Sequence, residues 1–160
     1  PRAIRDVYKR QAWLLGFLFT QMESNLPRSL EQYCQYYNCS FFAVHLPCIF
    51  CSHILTAKDL AAFACKNLSL VFRNAQCLAC CIKCCRLSAR YEFENYYQCS
   101  VRSVNIESVS QCRLHALIVR CYECLKSLDI AEKYDLVCKD DWFHVVRSQW
   151  RGLCRDCYPK

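Results

Sequence analysis

The chain has 160 residues, of which 54% are hydrophobic and 22% are charged. This composition predicts a folded protein and excludes an intrinsically disordered one. The formal net charge of +7 favours an acidic partner, either nucleic acid or an acidic peptide. Seventeen cysteines beside only two glycines favour intracellular metal sites over a turn-rich disulfide scaffold. No stretch reaches the roughly 18 apolar residues that span a bilayer, so a membrane is not an expected partner.

The only methionine of the chain is Met22, and 21 residues precede it. Within these residues, DVYKRQ (6–11) is the translation of codons that resemble the end of a sequencing-library adaptor. We therefore hypothesise that residues 1–21 are a non-native, artefactual extension and that Met22 begins the natural protein.

The first half of the chain carries signals for two helices and one strand. PRSLEQYCQYYN (27–38) predicts a helix that starts near its proline. Thr56 predicts the N-cap of a second helix, because Asp59 stands three residues later. LSLVF (68–72) has the β-branched and aromatic content of a strand. Asn74 follows it and is a candidate for a left-handed turn conformation.

The second half shows a similar order of signals. Residues 83–102 contain neither proline nor glycine and predict a linking helix of about four turns. Residues 106–117 predict a further helix. Asp129 predicts the N-cap of the next one, with Glu132 at the third helical position. WFHVV (142–146) predicts a strand.

A repeated cysteine pattern divides the chain into two homologous modules. Each contains two Cys-x-x-Cys pairs separated by 29 residues, and the second pattern lies 73 residues after the first at all four positions. The stretch CLACCIKCC (77–85) holds two overlapping pairs, and only the later one fits this register. The predicted ligands are Cys48, Cys51, Cys81 and Cys84 in the first module and Cys121, Cys124, Cys154 and Cys157 in the second.

Four thiolates arranged in this way suit a tetrahedral Zn²⁺ ion. Such a site leaves no open coordination position, so it is structural and not catalytic. Modules this small cannot be held by hydrophobic burial alone, and a structural zinc ion supplies about 10–16 kcal/mol. The sequence therefore predicts an α+β protein with two structural Zn²⁺ ions per chain. Each module would be a short antiparallel sheet with short helices, and a linker helix would join the two modules.

The predicted organisation has six parts. They are a non-native extension (1–21), an N-terminal arm and helix (22–47), a first zinc module (48–84), a linker and entry helix (85–120), a second zinc module (121–157) and a tail (158–160).

These motifs resemble a known viral family over roughly residues 23–160. The two cysteine modules with 36 residues between them, together with PRSL, DLAAFACKNLSLVFRN, LIVRCYEC and RSQWRGLCRDC, are similar to papillomavirus early protein six, a two-zinc viral oncoprotein family. The resemblance implies a non-enzymatic adaptor of the host nucleus and cytoplasm. Members capture acidic LxxLL helices of a HECT-type ubiquitin ligase or of a Notch-pathway coactivator. They thereby modulate host protein degradation, transcription, apoptosis and the innate response.

The resemblance also implies which residues meet the peptide in a groove between the modules. The apolar wall would comprise Phe50, Leu68, Val71 and Ile118, and the basic residues would be Arg28, Arg73, Arg120 and Arg147. Weak DNA binding and weak self-association are further expectations. PDZ domains are not expected partners, because the chain ends in Cys-Tyr-Pro-Lys and not in the PDZ-binding tail of high-risk members.

Two alternatives from other functional classes remain open. The first is a zinc-dependent, nucleic-acid-binding transcription regulator, which the charge permits, although no helix carries the clustered Lys and Arg of a groove reader. The second is a thiol enzyme with a histidine base. A zinc-bound thiolate is a poor nucleophile and no histidine–carboxylate pair is evident, so enzymatic activity is not expected. The candidate bases would be His45, His53, His115 and His144.

Nine cysteines lie outside the two ligand sets. They are interpreted as small apolar residues or incidental thiols. They are Cys34, Cys39, Cys65, Cys77, Cys80, Cys85, Cys99, Cys112 and Cys138.

Overall fold

The computed structural model describes residues 26–159. The predicted extension 1–21 and the predicted start at Met22 lie outside these residues. The described residues divide into two compact units: one holds residues 26–64 together with Leu68–Cys81, and the other holds Cys65–Asn67 and residues 82–159. Among the described helices, none is both long enough and apolar enough to cross a membrane.

The described part of the first unit contains two helices and one hairpin. Its elements are α1 (Leu30–Tyr36), a 3-10 turn (Phe41–Ala43), α2 (Ala57–Cys65), β1 (Val71–Arg73) and β2 (Gln76–Leu78). Strands β1 and β2 pair in antiparallel register. The core of this unit contains the buried side chains of Leu46, Leu55, Leu60 and Phe63.

The second unit packs three helices with a four-stranded sheet. Its elements are α3 (Ile82–Tyr96), β3 (Tyr97–Arg102), a 3-10 turn (Ser103–Asn105), α4 (Ile106–Ser110), β4 (Val119–Cys121), α5 (Ile130–Cys138), β5 (Trp142–Val146) and β6 (Gln149–Gly152). The strand order is β3-β5-β6-β4. Neighbouring strands are antiparallel except for β4 and β6, which are parallel. The predicted α+β fold class is confirmed, with one parallel pair in the second sheet.

Both predicted helix caps are present. The Thr56 hydroxyl accepts from the Asp59 backbone N–H at 3.2 Å, and the Asp59 carboxylate accepts from the Thr56 N–H at 3.1 Å. The Asp129 carboxylate accepts from the Glu132 N–H at 2.7 Å, with the reciprocal bond at 3.1 Å. Each capping box satisfies two backbone donors that an isolated helix would leave unbonded. Helices α2 and α5 therefore begin where the sequence predicts.

The 73-residue offset between the two cysteine patterns also relates the backbone conformations of the two modules. Ten described non-glycine residues have left-handed φ angles between 47° and 61°, and they form five pairs separated by 73 positions. The same offset relates β1–β2 to β5–β6 residue for residue. The two modules therefore share one backbone frame. The left-handed pairs are Asn38 with Gln111, Ser52 with Leu125, Asn67 with Asp140, Asn74 with Arg147, and Ala75 with Ser148.

Of the two predicted strands, one is confirmed and the other begins later than predicted. The strand predicted at 142–146 is confirmed to the residue as β5. The strand predicted at 68–72 begins only at Val71, because Asn67 ends the preceding helix in a left-handed turn and the chain must first straighten. The left-handed conformation predicted for Asn74 is confirmed, with φ of 48°.

The predicted linking helix of about four turns is present as the 15-residue helix α3, but it does not extend over all of 83–102. Helix α3 ends at Tyr96, and the last six residues of that stretch form β3, which pairs with β5. The helix predicted over 106–117 is likewise wrong beyond Ser110, because Gln111 is left-handed with φ of 54°. Long-range pairing and a turn override the local helical preference in these two places. The predicted module boundaries stay a prediction.

Candidate metal centres

The structure brings the eight predicted ligands together in two groups of four. Within each group all sulfur atoms lie within 4.8 Å of one another. The Sγ atoms of Cys51 and Cys81 are 3.9 Å apart, and those of Cys124 and Cys154 are 3.8 Å apart. A tetrahedron with Zn–S bonds of about 2.3 Å has edges of roughly 3.8 Å, whereas a disulfide joins sulfurs at about 2.05 Å. The spacing fits a shared metal ion and excludes disulfides between these cysteines.

A left-handed residue shapes the first loop of each centre. Ser52 has φ of 59° and donates its N–H to the Cys48 carbonyl at 2.9 Å. Leu125 has φ of 61° and donates to the Cys121 carbonyl, also at 2.9 Å. This tight turn reverses the chain directly after each Cys-x-x-Cys pair. It therefore keeps both sulfurs of the pair on the same side of the loop.

Backbone N–H groups prepare the Cys48 sulfur for metal binding. Burial acts to raise the pKa of this thiol, but hydrogen bonds from the backbone of Cys81, Cys51 and Phe50 outweigh it and lower the pKa to about 7. The Cys81 N–H lies 3.5 Å from the sulfur. The thiolate that coordinates zinc is therefore accessible near neutral pH.

The second centre is more deeply buried. The hydrogen bond that the Cys121 thiol donates to Cys124, followed by burial, raises the pKa of Cys121, and burial raises the pKa of Cys157 to about 12. Burial also raises the pKa of Cys154. Thiolates in such surroundings require a compensating cation, and four soft sulfur donors select Zn²⁺. The two centres confirm the prediction of two structural zinc ions.

A salt-bridge network lies beside Cys154 of the second centre and was not anticipated from the sequence. Lys126 Nζ lies 2.9 Å from the buried Glu132 carboxylate and 3.1 Å from that of Asp156. Glu132 also accepts from the Arg155 N–H at 3.1 Å. Glu132, Cys154 and Asp156 could hold a metal by proximity alone, but the lysine ammonium already supplies the positive charge there. The capping-box position of Glu132 was the only local signal for this network.

The overlapping pairs in CLACCIKCC resolve in favour of the predicted register. Cys77, Cys80 and Cys85 belong to neither sulfur group. The Cys85 thiol is buried and donates to the Cys124 carbonyl at 3.2 Å. It therefore supports the loop of the second centre without binding its metal.

The first unit holds five of the residues that the resemblance assigns to peptide binding. Arg28 and Arg73 are exposed, while Phe50, Leu68 and Val71 are half-buried. The backbone of Arg28 is fixed, because its carbonyl accepts from the Leu70 N–H at 2.8 Å. Their role in peptide binding stays a prediction.

The second unit holds the other three. The Ile118 side chain is 76% exposed. Arg120 is half-buried and donates to the backbone carbonyls of Leu125 and Asn67 at 3.0 Å and of Lys66 at 3.2 Å. The Arg147 guanidinium lies 5.0 Å from the centre of the Tyr96 ring and 3.9 Å from the Glu92 carboxylate.

None of the four histidines belongs to either sulfur group, although the His53 carbonyl accepts from the Cys48 N–H at 2.8 Å. His45, His53 and His115 are exposed. His144 is half-buried; burial lowers its pKa, and its Nδ1 lies 2.7 Å from the Ser100 hydroxyl. The rings of Phe93 and Tyr122 pack against it, with centroid distances of 5.3 Å each. These contacts describe a packed imidazole at the sheet surface.

One protein family matches this chain in sequence. Residues 48–157 match the Early Protein (E6) family. The chain is 48% identical over 139 residues to Protein E6 of Human papillomavirus 65, covering 87% of this chain and 99% of that protein. It is 45% identical over 139 residues to Protein E6 of Human papillomavirus 4, with the same coverage. The solution structure of the C-terminal zinc-binding domain of HPV51 oncoprotein E6 is 30% identical and covers 39% of this chain and 82% of its own, with a TM-score of 0.36.

Proposed function

Because the chain belongs to the papillomavirus E6 family, we propose that it is a non-enzymatic adaptor that captures acidic LxxLL helices of host proteins. The two zinc ions would act in folding, since neither sulfur group leaves a coordination position for a substrate. Recognition then rests on apolar and basic side chains that the zinc-stabilised modules present.

The observation that carries the proposal is the exposure of Ile118. This side chain is 76% exposed, although it lies between Leu117 and Val119, which are 7% and 0% exposed. A large apolar residue held outward by two buried neighbours cannot retreat into the core. An apolar anchor with a basic neighbour, Arg120, suits a leucine-rich acidic helix.

The internal repeat gives independent support. All four ligand positions are cysteine in both modules. In contrast, none of the eight predicted peptide-binding residues has a chemically similar residue at its counterpart, the position 73 residues away in the other module. Residues that the shared frame does not require are free to serve recognition. The counterparts of Arg28, Phe50, Leu68, Val71, Arg73, Ile118, Arg120 and Arg147 are Val101, Glu123, Asp141, His144, Val146, His45, Pro47 and Asn74.

Charge also favours an acidic helix. The net charge of +7 attracts such a peptide, and exposed Arg28 and Arg73 can approach its carboxylates. Arg120 has five N–H donors, and three of them hold backbone carbonyls. Two donors are left for a peptide carboxylate or a helix C-terminal carbonyl.

The test is binding of a synthetic acidic LxxLL helix to the zinc-loaded chain, followed by fluorescence anisotropy. We expect micromolar affinity and a loss of at least about tenfold in Ile118→Asp, because a charge would enter an apolar contact. The matched control is Val109→Asp, which changes another exposed, β-branched apolar side chain of the same unit. Zinc content is measured on every sample. Absence of binding by the wild type, or unchanged binding by Ile118→Asp, would contradict the proposal.

The partner would be a HECT-type ubiquitin ligase or a Notch-pathway coactivator. Capture of the first would redirect protein degradation, and capture of the second would alter transcription, with effects on apoptosis and the innate response. Either partner would be met in the host nucleus or cytoplasm, which is where we propose that the adaptor acts. A competition experiment with one acidic LxxLL helix from each partner class would rank the two, since the better-fitting helix displaces the other.

We also propose two weaker interactions. The net charge of +7 favours weak DNA binding, which should fall steeply as salt concentration rises. Tyr36, Tyr37 and Phe42 are exposed aromatic side chains of the first unit and favour weak self-association. Anisotropy with labelled DNA at two salt concentrations tests the first, and sedimentation at increasing protein concentration tests the second.

A further inference from the structure

Two cysteines outside the zinc centres meet where α1 ends. Asn38 is left-handed with φ of 47°, the Cys39 N–H donates to the Cys34 carbonyl at 3.0 Å, and the Asn38 N–H donates to the Gln35 carbonyl at 3.3 Å. These two bonds define a Schellman motif, in which the first and last residues of the turn bring their side chains into contact. The contacting residues here are Cys34 and Cys39, and the Cys39 side chain lies near enough to the Cys34 thiol to raise its pKa.

The remaining surroundings of this pair suit reaction with a small molecule. Both cysteines are partly exposed, unlike buried Cys77 and Cys85. Neither belongs to a metal-binding group. An oxidant can therefore reach the pair without displacing zinc.

The other module contains a natural comparison. The counterpart of Cys39 is Cys112, but the counterpart of Cys34 is Glu107. The Glu107 carboxylate closes that turn without a covalent bond, accepting from the Leu114 N–H at 2.7 Å and lying 3.5 Å from Arg113. Only the first module has a thiol at both contacting positions.

We propose that Cys34 and Cys39 form a reversible disulfide on reaction with a low-molecular-weight disulfide such as glutathione disulfide. The Cys39 thiolate attacks a sulfur of glutathione disulfide, forming a mixed disulfide and releasing one glutathione thiolate. The Cys34 thiolate then attacks the Cys39 sulfur, forming the protein disulfide and releasing the second glutathione. The protein loses two electrons and two protons, and these appear in two molecules of glutathione thiol.

The order of attack follows from the surroundings. Burial, followed by the charge and hydrogen bond of Cys39, raises the pKa of the Cys34 thiol. A thiol with a raised pKa is a slow first attacker but can complete an exchange with a sulfur already in contact with it. The product would fix the end of α1 beside the exposed rings of Tyr36 and Tyr37. This inference is independent of peptide binding.

The test uses the full zinc-loaded chain, titrated with glutathione disulfide and mapped by mass spectrometry without reduction. We expect a Cys34–Cys39 linkage with the mass loss of two hydrogen atoms, reversal by dithiothreitol, and retention of both zinc ions. Cys34→Ser should abolish the linkage and leave Cys39 joined to glutathione. Cys112→Ser, which alters the counterpart of Cys39, should leave the linkage intact.

Three results would overturn the inference. They are oxidation of the zinc ligands before the Cys34–Cys39 linkage forms, a wild-type chain that stops at glutathione-bound Cys39, and no reaction at either thiol. Zinc content verifies that Cys34→Ser is folded. If that variant loses zinc, differential alkylation of the wild-type chain before and after oxidation answers the same question, because both thiols must become protected together.

Discussion

Arg120 has a structural role in addition to its proposed role in peptide recognition, and measurements of unfolding can separate the two. Its guanidinium donates to three backbone carbonyls, at 3.0 Å to Leu125 and Asn67 and at 3.2 Å to Lys66. A hydrogen bond from a charged group contributes about 1.5–3 kcal/mol, but the partial exposure of Arg120 reduces each contribution. The Lys66 carbonyl also keeps the Ser127 N–H at 3.4 Å when the arginine is removed. We therefore expect Arg120→Ala to lower the free energy of unfolding by about 2–3 kcal/mol.

Urea unfolding of the zinc-loaded chain measures this loss, read as a lower midpoint with an unchanged slope. Arg120→Lys keeps the charge but lacks the planar fork, so it should recover less than half of the lost stability. Arg73→Ala removes an exposed arginine and should change stability by less than about 0.5 kcal/mol. An Arg120→Ala midpoint equal to that of Arg73→Ala would refute the reasoning. The loss of peptide affinity in Arg120→Ala is then compared with the loss in Ile118→Asp, because the Ile118 side chain has no structural role in the core.

Three further predictions follow from single features of the structure. Lys133→Met should destabilise the zinc-loaded chain by about 2–4 kcal/mol in urea unfolding. The buried Lys133 ammonium donates hydrogen bonds to the Leu117 and Leu114 carbonyls at 2.6 and 3.3 Å, and methionine would leave both without this donor. A urea midpoint equal to that of the wild type would contradict this prediction. Burial lowers the pKa of His144 below 6.5, so the unfolded chain gains a proton first as pH falls through 6.5, and stability falls with it. The loss between pH 7 and pH 5 should be smaller in His144→Phe than in the wild type, and an equal or larger loss would exclude this cause. Cys154→Ser should reduce zinc content from two ions to one, measured by metal analysis after gel filtration, whereas Cys138→Ser at an exposed non-ligand position should retain both.

The sequence predicts the metal centres and the helix starts well because both depend on short spacings. A capping box joins positions three residues apart, so Thr56 with Asp59 and Asp129 with Glu132 were visible without knowledge of the fold. The ligand register emerged from comparing one half of the chain with the other.

The errors lie where distant segments decide the local structure. Residues 97–102 continue a helical pattern, but they become β3 because β5, more than 40 residues later, supplies a pairing edge. The burial of Lys133 could not be predicted either, since its carbonyl partners belong to a turn that ends some 16 residues earlier. Neither feature has a signal within a short sequence window.

The ten left-handed turn residues have a consequence for how the protein depends on its metal. A non-glycine residue in this conformation costs roughly 1–2 kcal/mol, so the set costs on the order of 10 kcal/mol. That is similar to the contribution of one structural zinc ion. Metal starvation should therefore unfold each half outright, since the strained turns favour the coil as soon as coordination is lost. Ala75→Gly or Ser148→Gly should therefore let the chain stay folded at a higher chelator concentration. Part of the dependence on zinc would then come from the strained turns and not only from the ligands.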